Sequence, residues 1–201
     1  MVGEAMSVED VVEVVLKDRI FYDVSGGDVT FSGGEPLRQA GFLRAALEAC
    51  RIQGLHTVVD TCGLAAEEDL LSVAEVTDLF LFDVKMMDDA KHRRFTGVSN
   101  RQILANLEAL GRGDKRIWIR VPVIPGVNDD AENLEATAKL AASIPSVERV
   151  CLLPYHPLGE SKSRRLSRDS SLTDLEAPTP GELQNLVELV EAEGIATSIG
   201  G

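Results

Sequence analysis

An α/β fold on a parallel sheet, of the TIM-like or partial-barrel kind, is predicted by three observations. Short apolar, β-branched segments alternate with amphipathic helical patterns almost to the end of the chain, the mark of repeated βα units. No GxGxxG loop accompanies them, so a doubly wound dinucleotide-binding sheet is disfavoured. Charged and small residues gather at the C-terminal ends of the apolar segments, where barrel enzymes keep their active sites. With 201 residues and 44% hydrophobic content, the chain reads as one domain over 1–201 with a full core.

The elements follow in order. Ser7 caps a helix whose Val8, Val11, Val12, Val15 and Leu16 share a face. A strand runs from Val29 to Ser32. The next helix turns Leu43, Ala46, Leu47 and Cys50 inward and stops at Gly54. Strands are read at Thr57 to Asp60 and across the apolar run Leu79 to Phe82. Ser99 and Gln102 are read as a capping box for a helix carrying Ile103, Leu104, Leu107 and Leu110, ended by Gly111. Arg116 to Ile124 is a strand, and Pro125-Gly126 a turn. Ala131 to Ser143 is helical and Val147 to Leu153 a strand. Thr179, Pro180 and Glu182 open the last helix, and Ala196 to Ile199 is a closing strand. Gly159 to Pro178 is a long polar loop rich in Ser, Arg and Asp. The series begins with a helix, so the first βα unit reads as incomplete.

Lys and Arg number 20 against 33 Asp and Glu, a net charge of −13. That balance argues against nucleic acid and against an anionic membrane surface as partners. Glu9, Asp10 and Glu13 interrupt the first apolar stretch, so it does not read as a signal peptide. Three scattered cysteines, Cys50, Cys62 and Cys151, suggest a reducing, cytoplasmic setting.

The strand ends carry the chemistry. The first leads into Thr30-Phe31-Ser32-Gly33-Gly34-Glu35-Pro36-Leu37. Two glycines permit close approach of backbone to ligand, and one carboxylate sits beside a stiffening proline. Backbone carbonyls plus one fixed anion suit a ligand with an ammonium group. Later strand ends supply Asp60-Thr61-Cys62-Gly63, Asp83-Val84-Lys85, Arg120 and Pro154-Tyr155-His156. Charges inside apolar strands are costly unless paired or functional. Each has a plainer reading: Glu35 as a helix cap, Asp60 and Asp83 as solvated strand ends or ion-pair partners of Lys85, His156 as a loop residue. Cys62 reads as a small packing residue, Trp118 as an outward anchor, and His56 and His92 as surface. The basic cluster Lys162, Arg164, Arg165 and Arg168 reads as a solvated loop, with partner docking as the functional alternative.

Taken together, SGGEPL at 32–37, DTCG at 60–63, FDVK at 82–85, FTGVSN at 95–100, IRVPVIPGVND at 119–129, LLPYHPLGESK at 152–162 and the terminal SIGG resemble the activating enzymes of glycyl radical enzymes, a branch of the radical S-adenosylmethionine (SAM) enzymes that includes pyruvate formate-lyase activating enzyme. The motifs run in order over nearly the whole chain. The resemblance implies that Gly33, Gly34, Glu35 and Pro36 hold the SAM amino group. It implies that Lys85 and Arg120 contact its carboxylate and neighbouring polar groups, and that Asp83 and His156 line its pocket. It places a monovalent cation, Na⁺ or K⁺, at Asp60, Thr61 and Asp83. In that family a [4Fe–4S] cluster, fed by a donor such as flavodoxin or ferredoxin, reduces SAM to methionine and a 5′-deoxyadenosyl radical. The radical takes a hydrogen from a glycine of the partner enzyme.

One departure is large. The family's cluster-binding CxxxCxxC does not occur in these residues, and the three cysteines are not at ligand spacing. The expectation is therefore a SAM-binding barrel portion that lacks the N-terminal CxxxCxxC unit, binds no cluster by itself and is inactive as it stands. Two alternatives accompany it: a noncatalytic SAM- or partner-binding module of the same origin, and an ordinary barrel lyase or isomerase with Lys85 as base. The last leaves GGEP and Asp60-Thr61 unexplained.

Overall fold

The computed structural model describes residues 5–20, 27–155 and 177–200. The strands are β1 (Val29–Phe31), β2 (Thr57–Thr61), β3 (Leu79–Asp83), β4 (Arg116–Val123), β5 (Val147–Pro154) and β6 (Thr197–Ile199). They form one six-stranded sheet in sequence order, β1-β2-β3-β4-β5-β6. β1–β2, β2–β3 and β5–β6 pair in parallel. The helices are α1 (Val8–Lys17), α2 (Ala40–Ile52), α3 (Glu67–Ala74), α4 (Asp89–Thr96), α5 (Arg101–Gly111), α6 (Ala131–Ser143) and α7 (Pro180–Glu191), with a 3-10 turn at Pro36–Gln39. The βα alternation is as predicted. No described helix is long and apolar enough to cross a membrane.

The chain divides into two compact units, 1–83 with 101–118, and 84–100 with 119–201. In the first, α1 is closed by a capping box in which Ser7 and Asp10 exchange side chain-to-backbone hydrogen bonds. Its Val12, Val15 and Leu16 lie against Val29, Cys50 and Leu55. α2 buries Leu43, Ala46, Leu47 and Cys50, the i, i+3, i+4, i+7 stripe read from the sequence. Below β3, Asp78 accepts from the Thr57 N–H and hydroxyl at 2.8 and 2.9 Å, tying the start of one strand to the next.

In the second unit α6 and α7 pack on each other and on β5 and β6. α7 opens on the Thr179–Glu182 capping box and buries Leu183, Val187 and Val190. The Ser99 hydroxyl donates to Asp89 at 2.6 Å, and the same carboxylate oxygen accepts the Asn100 N–H. His92 is buried, not at the surface, with Nδ1 at 2.8 Å from the Val98 carbonyl and 3.0 Å from the Thr96 hydroxyl. α3 and α4 were not anticipated. α4 reads Asp-Ala-Lys-His-Arg-Arg-Phe-Thr and buries one residue, His92, so it shows no apolar period.

Candidate functional site

In the first unit the segments beyond β1 and β2 meet at one carboxylate. Glu35 caps the 3-10 turn, and its Oε1 accepts the Leu37 N–H at 3.2 Å and the Thr61 hydroxyl at 2.6 Å. Its Oε2 accepts the Cys62 N–H at 3.0 Å and the Cys62 thiol at 2.9 Å. A carboxylate offers about four lone-pair positions, so these four donors occupy it. Glu35 is thus a cap, as its plain reading had it, and also a staple between the Gly33-Gly34 turn and the end of β2. The charge stays fixed under the turn, while a new strong hydrogen bond to it would have to displace an old one.

The turn above this anion is open. Gly33 has φ +143°, a conformation side chains rarely adopt, and a Cβ at Gly33 or Gly34 would meet no atom within 4 Å. Exposed backbone above a fixed negative charge fits a cationic head group.

Thr61, which is buried, is itself held. Its oxygen accepts the Gly63 N–H at 2.9 Å while its proton goes to Glu35. Gly63 has φ +70°, and a Cβ there would run into the Phe82 ring. The Gly63 and Ala65 carbonyls accept from Asn106 of α5 at 2.7 and 2.9 Å. Asn106 was missed in the sequence reading. Its signal is legible in retrospect: it lies on the same inward face as Ile103, Leu107 and Leu110, and a polar residue on a buried face must find partners.

Asp60 accepts the Ser32 hydroxyl at 2.9 Å. It stands opposite Leu81 of β3 and Thr61 opposite Phe82, so Asp83 lies one step further along the neighbouring strand. Among the described residues no three His, Cys, Asp or Glu side chains are grouped to hold a metal ion. The cysteines do not fit an iron–sulfur cluster. Cys50 is buried in the inner face of α2, where burial raises its thiol pKa. Cys151 is buried in β5 near the Ser198 hydroxyl, and Cys62 donates to Glu35.

In the second unit Lys85 follows β3 by two residues and is half-buried. It lines a cavity of about 280 Å³ with Met86, Phe95, Thr96, Pro122 and Ile124. The Val84 N–H donates to the Arg120 carbonyl at 2.9 Å, so the backbones of the two candidate cations are tied. Along β4 burial alternates: Ile117, Ile119, Val121 and Val123 are buried, and Trp118 shares the half-buried face of Arg120 and Pro122. His156 and the basic cluster Lys162, Arg164, Arg165 and Arg168 lie outside the described residues.

The profile of the radical SAM superfamily matches residues 2–141. The chain is 41% identical over 203 aligned positions to the trans-4-hydroxy-L-proline dehydratase activating enzyme of Clostridioides difficile, covering 100% of this chain and 67% of that protein. It is 34% identical over 194 positions to pyruvate formate-lyase 1-activating enzyme of Escherichia coli K12, covering 96% and 79%. A domain of the pyruvate-formate lyase-activating enzyme from Bacteroides vulgatus superposes with a TM-score of 0.74 at 35% identity, covering 87% of this chain and 99% of that one. The partial-barrel architecture expected from the sequence is the one these residues adopt.

Proposed function

The chain belongs to the radical SAM superfamily and, within it, to the glycyl-radical-enzyme activating enzymes, and on that premise we propose that these residues are the SAM-binding portion of an enzyme that cleaves SAM reductively to install a glycyl radical in a partner enzyme. The observation that carries the reading is the Gly33-Gly34 turn stapled through Glu35 to Thr61 and Cys62. The turn offers open backbone to the SAM ammonium, and the Glu35 charge beneath it favours a cation. Gly33, Gly34 and Pro36 shape the turn, and Glu35 acts mainly by holding it.

Lys85 and Arg120 take the SAM carboxylate and adjacent polar groups in this reading, and Asp83 and His156 line its pocket. A monovalent cation beside Asp60 and Asp83 belongs to the same proposal. Two carboxylates ending adjacent parallel strands repel each other, although the Thr61 hydroxyl is directed to Glu35. In the same proposal a [4Fe–4S] cluster, with an electron donor such as flavodoxin or ferredoxin, would supply the reducing electron, and no ligand role falls to Cys50, Cys62 or Cys151. The partner is a protein, because the relatives are named as activating enzymes of other enzymes. A second reading is a noncatalytic SAM- or partner-binding module of the same origin. Fusing a cluster-bearing N-terminal unit from a relative and assaying 5′-deoxyadenosine separates the two.

Calorimetric titration with SAM tests the proposal. Glu35→Ala removes four charge-assisted contacts that hold the turn. Even one such contact is worth roughly 1.5–3 kcal/mol, so affinity should fall at least tenfold. Equal affinity for wild type and variant would overturn the role.

A further inference from the structure

We propose that Asn100, Asn128 and Asn133 are positioning residues for Lys85, a network that fixes the backbone on which the lysine stands; this rests on the reading of Lys85 as a contact to the SAM carboxylate. β3 ends at Asp83, so residues 85–87 lie beyond its regular strand. Their polar backbone groups are taken by side-chain amides. Asn128 Nδ2 donates to the Lys85 carbonyl at 2.8 Å and to the Pro122 carbonyl at 2.6 Å. Asn100 Nδ2 donates to the carbonyls of Met86 and Met87 at 3.0 and 2.7 Å. Asn133 Oδ1 accepts the Met87 N–H at 2.8 Å, and its Nδ2 donates to the Asn128 carbonyl at 2.9 Å.

All three side chains are buried, with Asn100 and Asn128 at 2% and 1% exposure. Three consecutive carbonyls and one amide are therefore fixed from three directions. The residue type matters. A primary amide supplies two donors and one acceptor in one plane, and Asn128 uses all three, its Oδ1 accepting the Ile124 N–H at 2.8 Å. Because Asn128 bridges Lys85 to Pro122, two residues past Arg120, it also sets the spacing of the two cations along with the Val84–Arg120 bond. A network spread through the unit would read as general stability. One centred on residues 85–87 reads as aim.

The test compares SAM with decarboxylated SAM, which keeps the adenosine, sulfonium and ammonium and lacks the carboxylate. Lys85→Ala and Asn128→Ala should each weaken SAM about tenfold and leave decarboxylated SAM unchanged. The double variant should bind SAM no more weakly than Lys85→Ala alone, because both changes remove one interaction. Asn128→Ala weakening both ligands alike, or adding fully to Lys85→Ala, would overturn the positioning role and leave the SAM reading standing. Lys85→Ala without effect on SAM would instead overturn the role of Lys85 and with it this inference. Should Asn128→Ala not fold, Asn133→Ser is measured on the same two ligands and judged the same way.

Discussion

Glu35 in the first unit and Lys85 in the second both stand just past strand ends, and they are held differently. Around Glu35 the side chain itself is fixed: four donors fill its two oxygens. Around Lys85 the described bonds fix the backbone, through Asn100, Asn128 and Asn133. Chemistry explains the choice. A carboxylate can be saturated by rigid N–H and O–H donors that a strand end supplies cheaply. An ammonium on a four-carbon stem would need several buried acceptors to hold its tip. Immobilising a rotamer-rich side chain costs about 0.5–1.5 kcal/mol. For Glu35 that cost falls on folding. The carboxylate is thus set before the ligand arrives, and the backbone that carries the lysine is set as well.

The sharpest way to break the Glu35 side of this comparison is through the backbone beneath it. Gly63→Ala forces a side chain into φ +70° and into the Phe82 ring. It should destabilise the protein by about 3 kcal/mol or more, seen as a lowered midpoint in chemical denaturation, with SAM affinity falling in step. A variant as stable as wild type would show that the β2 end yields easily. Next in size is Thr61→Val, which keeps the shape and removes both roles of the hydroxyl. We expect a loss of about 1–3 kcal/mol in stability together with weaker SAM binding, and recovery of both in Thr61→Ser. If Thr61→Val bound SAM normally, holding the Glu35 side chain would not matter. Cys62 sharpens the same point with a smaller change. Cys62→Ser retains a donor to Glu35 and should keep SAM affinity within about threefold. Cys62→Ala loses one of four contacts, an effect of about 1 kcal/mol; an alanine variant that binds better than the serine variant would refute the thiol's share.

The smallest effect contrasts Glu35 with a carboxylate at the opposite end of the same strands. For Asp78, burial alone would raise the pKa, but hydrogen bonds from Thr57, with His56 and Arg51 nearby, leave it lowered. A lowered native value means that its stabilising contribution is complete above the unfolded pKa of about 3.9 and is lost as pH falls through the native value. Asp78→Asn should therefore flatten the acid limb of the stability-versus-pH curve and leave SAM affinity near neutral pH untouched. An unchanged acid limb would remove Asp78 from that account.

Much of this was legible from the sequence. The helical stripe Leu43, Ala46, Leu47, Cys50 and the Thr179–Glu182 capping box are local patterns, and both stand as read. So does the βα order, because period and turn residues carry it. The convergence of Glu35 with Thr61 and Cys62 was not legible, since bonds spanning 26 and 27 residues leave no periodic trace. The asparagines were hidden for a related reason. Asn128 sits in a turn and Asn100 just before a helix, where asparagine is ordinary, and only the fold reveals that both amides turn inward.

β1 carries one further consequence. It has three residues and, among the described strands, a single neighbour. The strand is short, so the Gly33-Gly34 turn depends on the Glu35 bonds as well as on the strand that leads to it. Local opening there should be among the easiest excursions of the native state. The amides of Thr30 and Phe31 would then exchange with solvent faster than those of β2, and a ligand seated on the turn would slow them. The first strand is in that sense a latch whose protection reports occupancy.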